Sequence, residues 1–440
     1  MLDIKFIREN QEKVKDGLKK KGVDLDLDKL LMADERRRAK IKEVDDLRAR
    51  HNKLSAEIAG LLGTDREEQI NVSAAGKRDI ESSEAELRRL EEEFTSLMYK
   101  IPNLPDENVP VGEGESENKV LREVGKKTKF DFKPRSYMEL GEKLDLIDTE
   151  RAAKVSGTRF GYLKHEAPLL EFALIQFAFD FVRDEKNIKN IIEKNGLFVN
   201  FKPFIPVVPP GLIKPEAMKA MGYTERGGDE IYFLEKDNLY LVGTAEQSVG
   251  PMHMNEVFEE ENLPHRHIAF STCFRREAGS YGKDTKGIIR VHQFDKAEMF
   301  VFTTPETSKD EHKLILGIEE KLMQELGLPY RVINICSGDL GDPAAAKYDI
   351  EAWLPGQNDG KGEYRETHST SNTTDFQSRR LNIKVRRKNG KTEFLHMLNG
   401  TAFAVGRMII AILENYQQKD GSVKIPEVLQ KYTGFLEIRR

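Results

Sequence analysis

The sequence predicts an α+β protein: a body built on an antiparallel β-sheet flanked by helices, preceded by an antiparallel α-helical coiled-coil arm. Three observations carry this expectation. Before residue 115, apolar residues recur at alternating spacings of three and four. Beyond it, short apolar runs alternate with turns and amphipathic stretches. At 440 residues the chain exceeds one ordinary core, and its 33% charged against 38% hydrophobic residues fit an extended solvated segment beside a compact one.

The arm comes first. Val44, Leu47, His51, Leu54, Ile58 and Leu61 form one heptad seam, and Ile80, Ser83, Leu87, Leu90, Phe94, Leu97 and Ile101 form a second. The polar stretch Gly63 to Asn71 interrupts the seam, so the turn of the hairpin is expected there. A continuous helix from Leu27 to Leu61 would span roughly 50 Å at about 1.5 Å per residue, long enough to reach a distant partner. His51 reads as a polar residue tolerated in the seam. Arg36, Arg37, Arg38, Lys40, Lys42, Arg48, Arg50 and Lys53, with Arg88 and Arg89, make the arm rich in cations, but Glu91, Glu92 and Glu93 are interleaved. A solvated coiled-coil face and an RNA-binding face are both open on this pattern. Pro102 and Pro105 end the arm and the acidic segment Asp106 to Glu117 reads as a connector. The expected domains are therefore residues 1–115 and 116–440.

In the body, Glu171 to Arg183 reads as a helix. Phe198 to Val208, Tyr240 to Val242, Ile268 to Phe274, Val291 to Phe294 and Met299 to Thr303 read as strands at hairpin-like spacing, which favours an antiparallel sheet. Ala402 to Tyr416 reads as an amphipathic helix burying Val405, Ile409, Ile412 and Leu413. Neither GxxxxGK[ST] nor a strand-GxGxxG-helix unit is present, so a bound nucleotide is held in another way.

A formal net charge of -5 excludes a protein coated in basic residues and leaves room for a local basic face. Cys273 and Cys336 are too few for a disulfide framework and lack CxxC spacing, which suits a reducing cytoplasm. The first ten residues carry scattered charges and no apolar core of signal-peptide length. The run Met408 to Leu413 is too short to cross a bilayer. A soluble cytoplasmic protein with no membrane partner is expected. His292, Cys273 and the pair His265 and His267 do not compose a zinc site by their spacing and read as structural residues.

Most informative is Phe270 to Ser280, closed by Val291 to Glu298. It sets an apolar strand, an arginine and two carboxylates around a loop containing glycine and lysine, an arrangement suited to a nucleoside triphosphate beside a cationic small molecule. A structural ion pair between Arg275 and Glu277 is the plain alternative, as is a core role for Phe294.

Six stretches occur in order: ELGEKLDLIDTERAAKVSGTRF within Asp131 to Gly161, Gly243-Thr-Ala-Glu-Gln-Ser248, Phe274-Arg-Arg-Glu277, Arg290-Val-His-Gln-Phe-Asp295, Asp375-Phe-Gln-Ser-Arg-Arg380 and Asn399-Gly-Thr-Ala-Phe-Ala-Val-Gly-Arg407. Together with the arm, they resemble the seryl-tRNA synthetases, a family of class II aminoacyl-tRNA synthetases, over essentially the whole chain.

The resemblance implies a role for each matching residue. Arg275 would bridge the serine carboxylate and the ATP α-phosphate, and Arg407 would act against the adenine and γ-phosphate, making these two the catalytic residues. Arg276 and Glu277 would meet the nucleotide, Glu277 accepting from the adenine amino group, with Val291 beside them and Phe294 offering its ring. Thr244, Ala245, Glu246, Glu298 and Thr401, with Arg275, would form the serine pocket. Glu366, Thr367, His368 and Ser369 would complete the ATP site, Glu366 and Ser369 holding Mg2+, for which oxygen donors suit a hard cation. Thr401 stands where bacterial members more often have serine; it keeps the hydroxyl and adds a methyl. The segment Glu366 to Asp375 departs from the family's cysteine-containing run, with His368 in place of a small residue. The loop Ala278 to Gly287 would approach the tRNA acceptor stem, though a plain hairpin turn fits it equally. Phe204 to Ile213 would be the first class II motif, at a homodimer interface, although a strand ended by two prolines also describes it.

The implied reaction joins L-serine to ATP as seryl-adenylate and then to tRNA(Ser), with tRNA(Sec) left open as a further acceptor. Two other readings are a ligase loading a carrier protein, against which the arm counts, and a non-catalytic RNA-binding paralogue, against which Arg275, Glu298 and Arg407 count.

Overall fold

The computed structural model describes residues 1–225, 228–278 and 286–440. They form two compact units, Met1–Pro102 and Asn103–Arg440. The division falls before the boundary expected near 115, because the connector is bound into the second unit. The Asn103 backbone donates to the Asp342 carbonyl at 2.9 Å, and its side-chain amide donates to the carbonyls of Pro343 at 2.9 Å and Thr373 at 2.8 Å.

The first unit is helical: α1 (Ile4–Glu9), α2 (Gln11–Lys20), α3 (Leu27–Ile58) and α4 (Gly63–Tyr99). Asp26 caps α3 by accepting from the Lys29 N–H at 3.1 Å. The hairpin reverses at residues 59–62, earlier than expected, and Gly63 takes a φ of 64°, in the left-handed region glycine tolerates. Residues 64–71 are helical because, although polar, they contain no glycine or proline, and Asp65 in the first turn complements the helix dipole. The two seams face each other and are half-buried along their outer length. The second seam also runs further than its apolar residues suggest: a Cβ on Gly76 would lie 3.8 Å from His51 Nδ1, in ordinary van der Waals contact, so Gly76 faces the imidazole across the hairpin.

Several arm cations are neutralised across the hairpin: Arg36 by Glu93 at 2.9 Å, Lys40 by Glu86 at 2.6 Å and Arg48 by Glu84 at 2.7 Å. Lys42, Arg50, Lys53, Lys77, Arg78, Arg88 and Arg89 are exposed, and none of them has an ion-pair partner among the described residues.

The second unit is organised by eight strands: β1 (Lys119–Val124), β2 (Ile205–Val207), β3 (His265–Phe274), β4 (Gln293–Thr303), β5 (Tyr330–Asn334), β6 (Ala346–Leu354), β7 (Glu363–Asn372) and β8 (His396–Ala404). Their order in the sheet is β1-β5-β6-β7-β8-β4-β3-β2. Every pairing is antiparallel except β2 with β3. One face packs on α5 (Glu166–Arg183), α6 (Ser308–Glu325) and α7 (Val405–Tyr416), whose apolar stripes join Ala297, Met299, Val301, Ile350 and Leu398 in the main core.

Three elements differ from the sequence reading. Gln293 to Thr303 form one strand, which joins Phe294 to Met299–Thr303 and leaves Val291 and His292 before it, because the charged residues between do not end it. Residues 402–404 belong to β8, and the helix begins at Val405. Residues 198–204 are not strand; Phe204 is buried as an anchor, and only Ile205–Val207 pair with β3.

On α5, burial and then the neighbouring Asp295 carboxylate push the Glu171 carboxyl up to about 8. The folded protein thus holds a proton that the unfolded chain releases in the ordinary carboxylate range. This contribution to stability is fully present below that range and is lost as pH rises toward about 8. Glu171→Gln is expected to flatten this decline and to add on the order of 1–2 kcal/mol above the shifted value. Urea unfolding at acidic and alkaline pH checks it, and parallel pH profiles for both proteins would rule out Glu171 as the source.

Candidate active site

On the sheet face turned away from the helices, alternate side chains line a cleft of about 680 Å³. Along β4, Phe294, Lys296 and Glu298 enter it, whereas Ala297, Met299 and Val301 enter the core. Phe294 and Glu298 are four residues apart, so the strand separates them by about 13 Å. Thr401 on β8 stands opposite Glu298 in register. On β7, Thr367, Ser369 and Ser371 line the same cleft. The pairing of β6 with β7 skips Thr367, since Ile350 faces His368 but Glu351 faces Glu366, and this irregularity brings Glu366 onto the wall that carries Ser369.

One end of the cleft is anionic. Glu298 is buried, accepting from the Thr244 hydroxyl, from the Glu246 N–H at 3.0 Å and from the Lys296 ammonium at 2.7 Å. Glu246 is also buried and accepts from the Tyr223 hydroxyl at 2.6 Å and the Gln377 amide at 2.7 Å. Burial, then the adjacent Glu298 charge, raise the Glu246 carboxyl above its ordinary value. Two carboxylates thus face a single buried lysine, which leaves the pocket short of one positive charge. The hydroxyls of Thr244 and Thr401 share its walls.

The other end is cationic. Arg275 follows β3, its Nε donating to the Gly243 carbonyl at 3.0 Å while the guanidinium lies 5.3 Å from the Phe294 ring centroid. These two contacts orient the fork, and Arg275 makes no ion pair with Glu277 among the described residues. Glu277 instead pairs with Arg290 at 2.8 Å. Arg407, in the first turn of α7, donates to the Glu366 carbonyl at 3.0 Å and lies 3.5 Å from its carboxylate. Packing around Glu366 opposes its ionisation, but Arg407, Lys347 and Arg275 outweigh that and hold its carboxyl below the ordinary value. Arg275, Arg290, Lys347 and Arg407 all line this end.

The cleft therefore collects Thr244, Glu246, Arg275, Glu277, Val291, Phe294, Glu298, Glu366, Thr367, Ser369, Thr401 and Arg407. Three residues of the expected set do not line it. Ala245 is buried behind Thr244. Arg276 is exposed, donates to the Ile231 carbonyl at 3.1 Å and stacks over Tyr232. His368 is buried behind the β7 wall with its ring 5.8 Å from Phe403, and burial lowers its pKa to about 3, so it is neutral. The unusual residue of this segment thus packs the core and leaves the cleft surface to its neighbours. Most of the loop Ala278 to Gly287 lies outside the described residues.

Lys296, Tyr223, Gln377, Arg290 and Lys347 were not anticipated. Lys296 had a local signal, since it precedes Glu298 by two positions on a strand and shares its face. Tyr223 and Gln377 had none, because each reaches Glu246 from a distant segment.

Comparison with known proteins agrees with this architecture. Residues 1–105 match the family described as the seryl-tRNA synthetase N-terminal domain, and residues 232–416 match the tRNA synthetase class II core domain (G, H, P, S and T). The chain is 44% identical over 443 residues to the serine--tRNA ligase of Dictyoglomus turgidum, covering 100% of this chain and 99% of the relative. Among solved structures, seryl-tRNA synthetase from Pyrococcus horikoshii complexed with ATP superposes with a TM-score of 0.86 at 41% identity, covering 100% of this chain and 99% of that one. The cytoplasmic serine-tRNA ligase of Naegleria fowleri in complex with AMP gives 0.83 at 34% identity, with the same coverage. With near-complete coverage at this identity, and with the arm and the class II sheet both present, the chain belongs to the seryl-tRNA synthetase family.

Proposed function

We infer that this protein is a serine--tRNA ligase that uses ATP to activate L-serine and transfers it to tRNA(Ser). The observation that carries this is the polarity of the cleft, with two buried carboxylates and one lysine at one end and, at the other, four cations against the two carboxylates of Glu277 and Glu366. A substrate that presents an ammonium at one end and reacts at a phosphate on the other matches that polarity.

In this reading Glu246 and Glu298 receive the serine ammonium, while Thr244 and Thr401 supply hydroxyl partners for the small polar side chain. A pocket built to hydrogen-bond a hydroxyl rejects an apolar analogue because its buried polar groups are then left unpaired. The serine carboxylate oxygen attacks the α-phosphorus of ATP; the bond to the bridging oxygen breaks and pyrophosphate leaves. Arg275, already aimed by the Gly243 carbonyl and Phe294, stabilises the charge developing at phosphorus, and Arg407 holds the outer phosphates. A terminal ribose hydroxyl of tRNA then attacks the adenylate carbonyl, and AMP leaves. Neither displacement needs a protein nucleophile, so positioning and electrostatics carry the rate. Glu366 and Ser369 offer oxygen donors on one wall of the cationic end and suit Mg2+ arriving with ATP, which when bound would offset phosphate charge.

Serine-dependent exchange of pyrophosphate into ATP, followed by charging of tRNA with serine, threonine, alanine and glycine in parallel, tests the reading. Absence of exchange removes it, and exchange without tRNA charging points to a carrier acceptor instead.

The arm is the proposed tRNA contact, through cations that have no ion-pair partner among the described residues. Neutralising Arg50, Lys53, Lys77 and Arg78 together is expected to raise KM for tRNA at least about tenfold and to lower the salt dependence of binding, with exchange unchanged. Unaltered charging kinetics in that variant would move the contact elsewhere. A homodimer is part of the same proposal. Its support is the apolar surface around the edge strand β2, where Phe198 is 87% exposed, Val208 79% and Ile205 53%. Both cysteines are free and buried, and no described helix is long and apolar enough to cross a membrane. The proposed compartment is the cytoplasm, where such a ligase meets its tRNA.

A further inference from the structure

His265 and His267 occupy alternate positions on β3 and so share one face of the sheet. The structure brings a third imidazole to them. His253 closes the single turn Gly250–His253, which follows directly on the short helix Glu246–Val249. One ring nitrogen from each of the three residues lies within 4.8 Å of the other two. Their setting is apolar: Phe258 is 4.8 Å by ring centroid from both His253 and His265, and Phe302 is 5.3 Å from His253.

Packing of three aromatic rings does not account for their nitrogens. Both ring nitrogens of His267 and the Nε2 of His253 are buried without a hydrogen-bond partner. Buried polar atoms without partners are rare in folded proteins, and a bound ion is a recurring explanation. The remaining nitrogen of His253, Nδ1, lies 2.7 Å from a Glu256 carboxylate oxygen. That contact sets the tautomer and leaves Nε2 with a free lone pair, which is how a carboxylate orients a metal-bound histidine. Around a tetrahedral zinc, three nitrogens at about 2.0–2.1 Å are about 3.4 Å apart, so closure needs only side-chain rotations moving these atoms by about 1 Å. The nearby Lys202 opposes a cation, and the Glu256 carboxylate beside His253 supplies an offsetting negative charge.

We propose that His253, His265 and His267 form a zinc site, oriented by Glu256, that ties the segment following Glu246 to strand β3. Three neutral imidazoles select a borderline transition metal such as zinc over magnesium or calcium, which prefer oxygen. The His253 side chain is 20% exposed, so this is the ligand nearest to solvent. The site is separate from the cleft. On β3 the residue opposite Lys296 is Ser271, and His267 lies four positions before it, about 13 Å along the strand.

The test uses the full-length untagged chain, stripped with a chelator and dialysed against Zn2+, with bound metal measured by elemental analysis. One zinc per chain is expected, and Co2+ in its place should give the intense visible absorption of a four-coordinate ion. Glu256→Gln, which removes only the orienting carboxylate, should weaken zinc binding about 10- to 100-fold. His253→Gln, at a partly exposed position, should abolish stoichiometric binding while the chain stays folded by circular dichroism. Zinc well below one equivalent in the wild type would overturn the proposal. So would equal zinc in the wild type and in the His253→Gln, His265→Gln double variant.

Discussion

Arg275→Ala is expected to lower the rate of serine-dependent pyrophosphate exchange by about 10²–10³-fold, the loss seen when one preorganised donor to a developing oxyanion is removed. Among the described residues the side chain makes one hydrogen bond, to the Gly243 carbonyl, and one stacking contact, to Phe294. Its removal should therefore leave stability within about 1 kcal/mol of the wild type. Arg275→Lys keeps the charge and loses the planar fork, so it should recover only part of the rate. Exchange kinetics with a parallel unfolding curve separate these effects. Full activity in Arg275→Ala would show that the guanidinium only braces the turn after β3.

Glu298→Gln is expected to damage both activity and stability. Its carboxylate receives the Lys296 ammonium, the Thr244 hydroxyl and the Glu246 N–H within a buried site. Removing the charge breaks the buried, hydrogen-bonded pair with Lys296, a change that costs up to about 3–5 kcal/mol when the remaining charge is uncompensated, less what the second carboxylate, Glu246, offsets. It also takes away one of the two carboxylates proposed to hold the serine ammonium, so kcat/KM for serine should fall at least about 10³-fold, about 4 kcal/mol. The double variant Lys296→Met, Glu298→Gln separates the two roles: stability should recover while exchange stays lost. If the double variant regained exchange, the carboxylate would be structural, and the ammonium site would rest on Glu246 alone.

The elements that a sequence pattern can encode were legible. The heptad seams of α3 and α4, the amphipathic face of α7 and the β-rich stretches around Phe270 and Phe300 follow from the spacing of apolar residues, which is a local property. Misreadings arose where the pattern served two faces at once. Asp295 to Glu298 resembled a break because it is charged, yet Lys296 and Glu298 sit at alternate positions on the cleft face, where charge is compatible with an unbroken strand, and Asp295 meets Glu171 of α5 on the other face. Polar composition likewise suggested a turn at residues 63–71, although only the glycine at its start has turn geometry.

The candidate site divides in the same way. The resemblance located twelve of the residues that line the cleft, most of them in the ordered stretches that carry it, whereas Glu366, Thr367 and Ser369 lie in the segment that departs from the family's run. It also assigned His368 to the ATP site, where the structure shows a core residue packed on Phe403 behind the wall. A strand's facing cannot be read through an irregularity in its pairing, and β7 has one at Thr367.

By itself, then, the sequence determined the family, the arm, the sheet-bearing body and the arginines and carboxylates of the cleft, since these depend on spacing along one chain. The tertiary structure alone decided the charge balance and the partners. Lys296 neutralises one of two carboxylates, Tyr223 and Gln377 hold the other from distant segments, and His253 joins His265 and His267 across a fold of the chain. Each of these depends on distances of a few ångströms between residues remote in sequence, and only the packed sheet sets such distances.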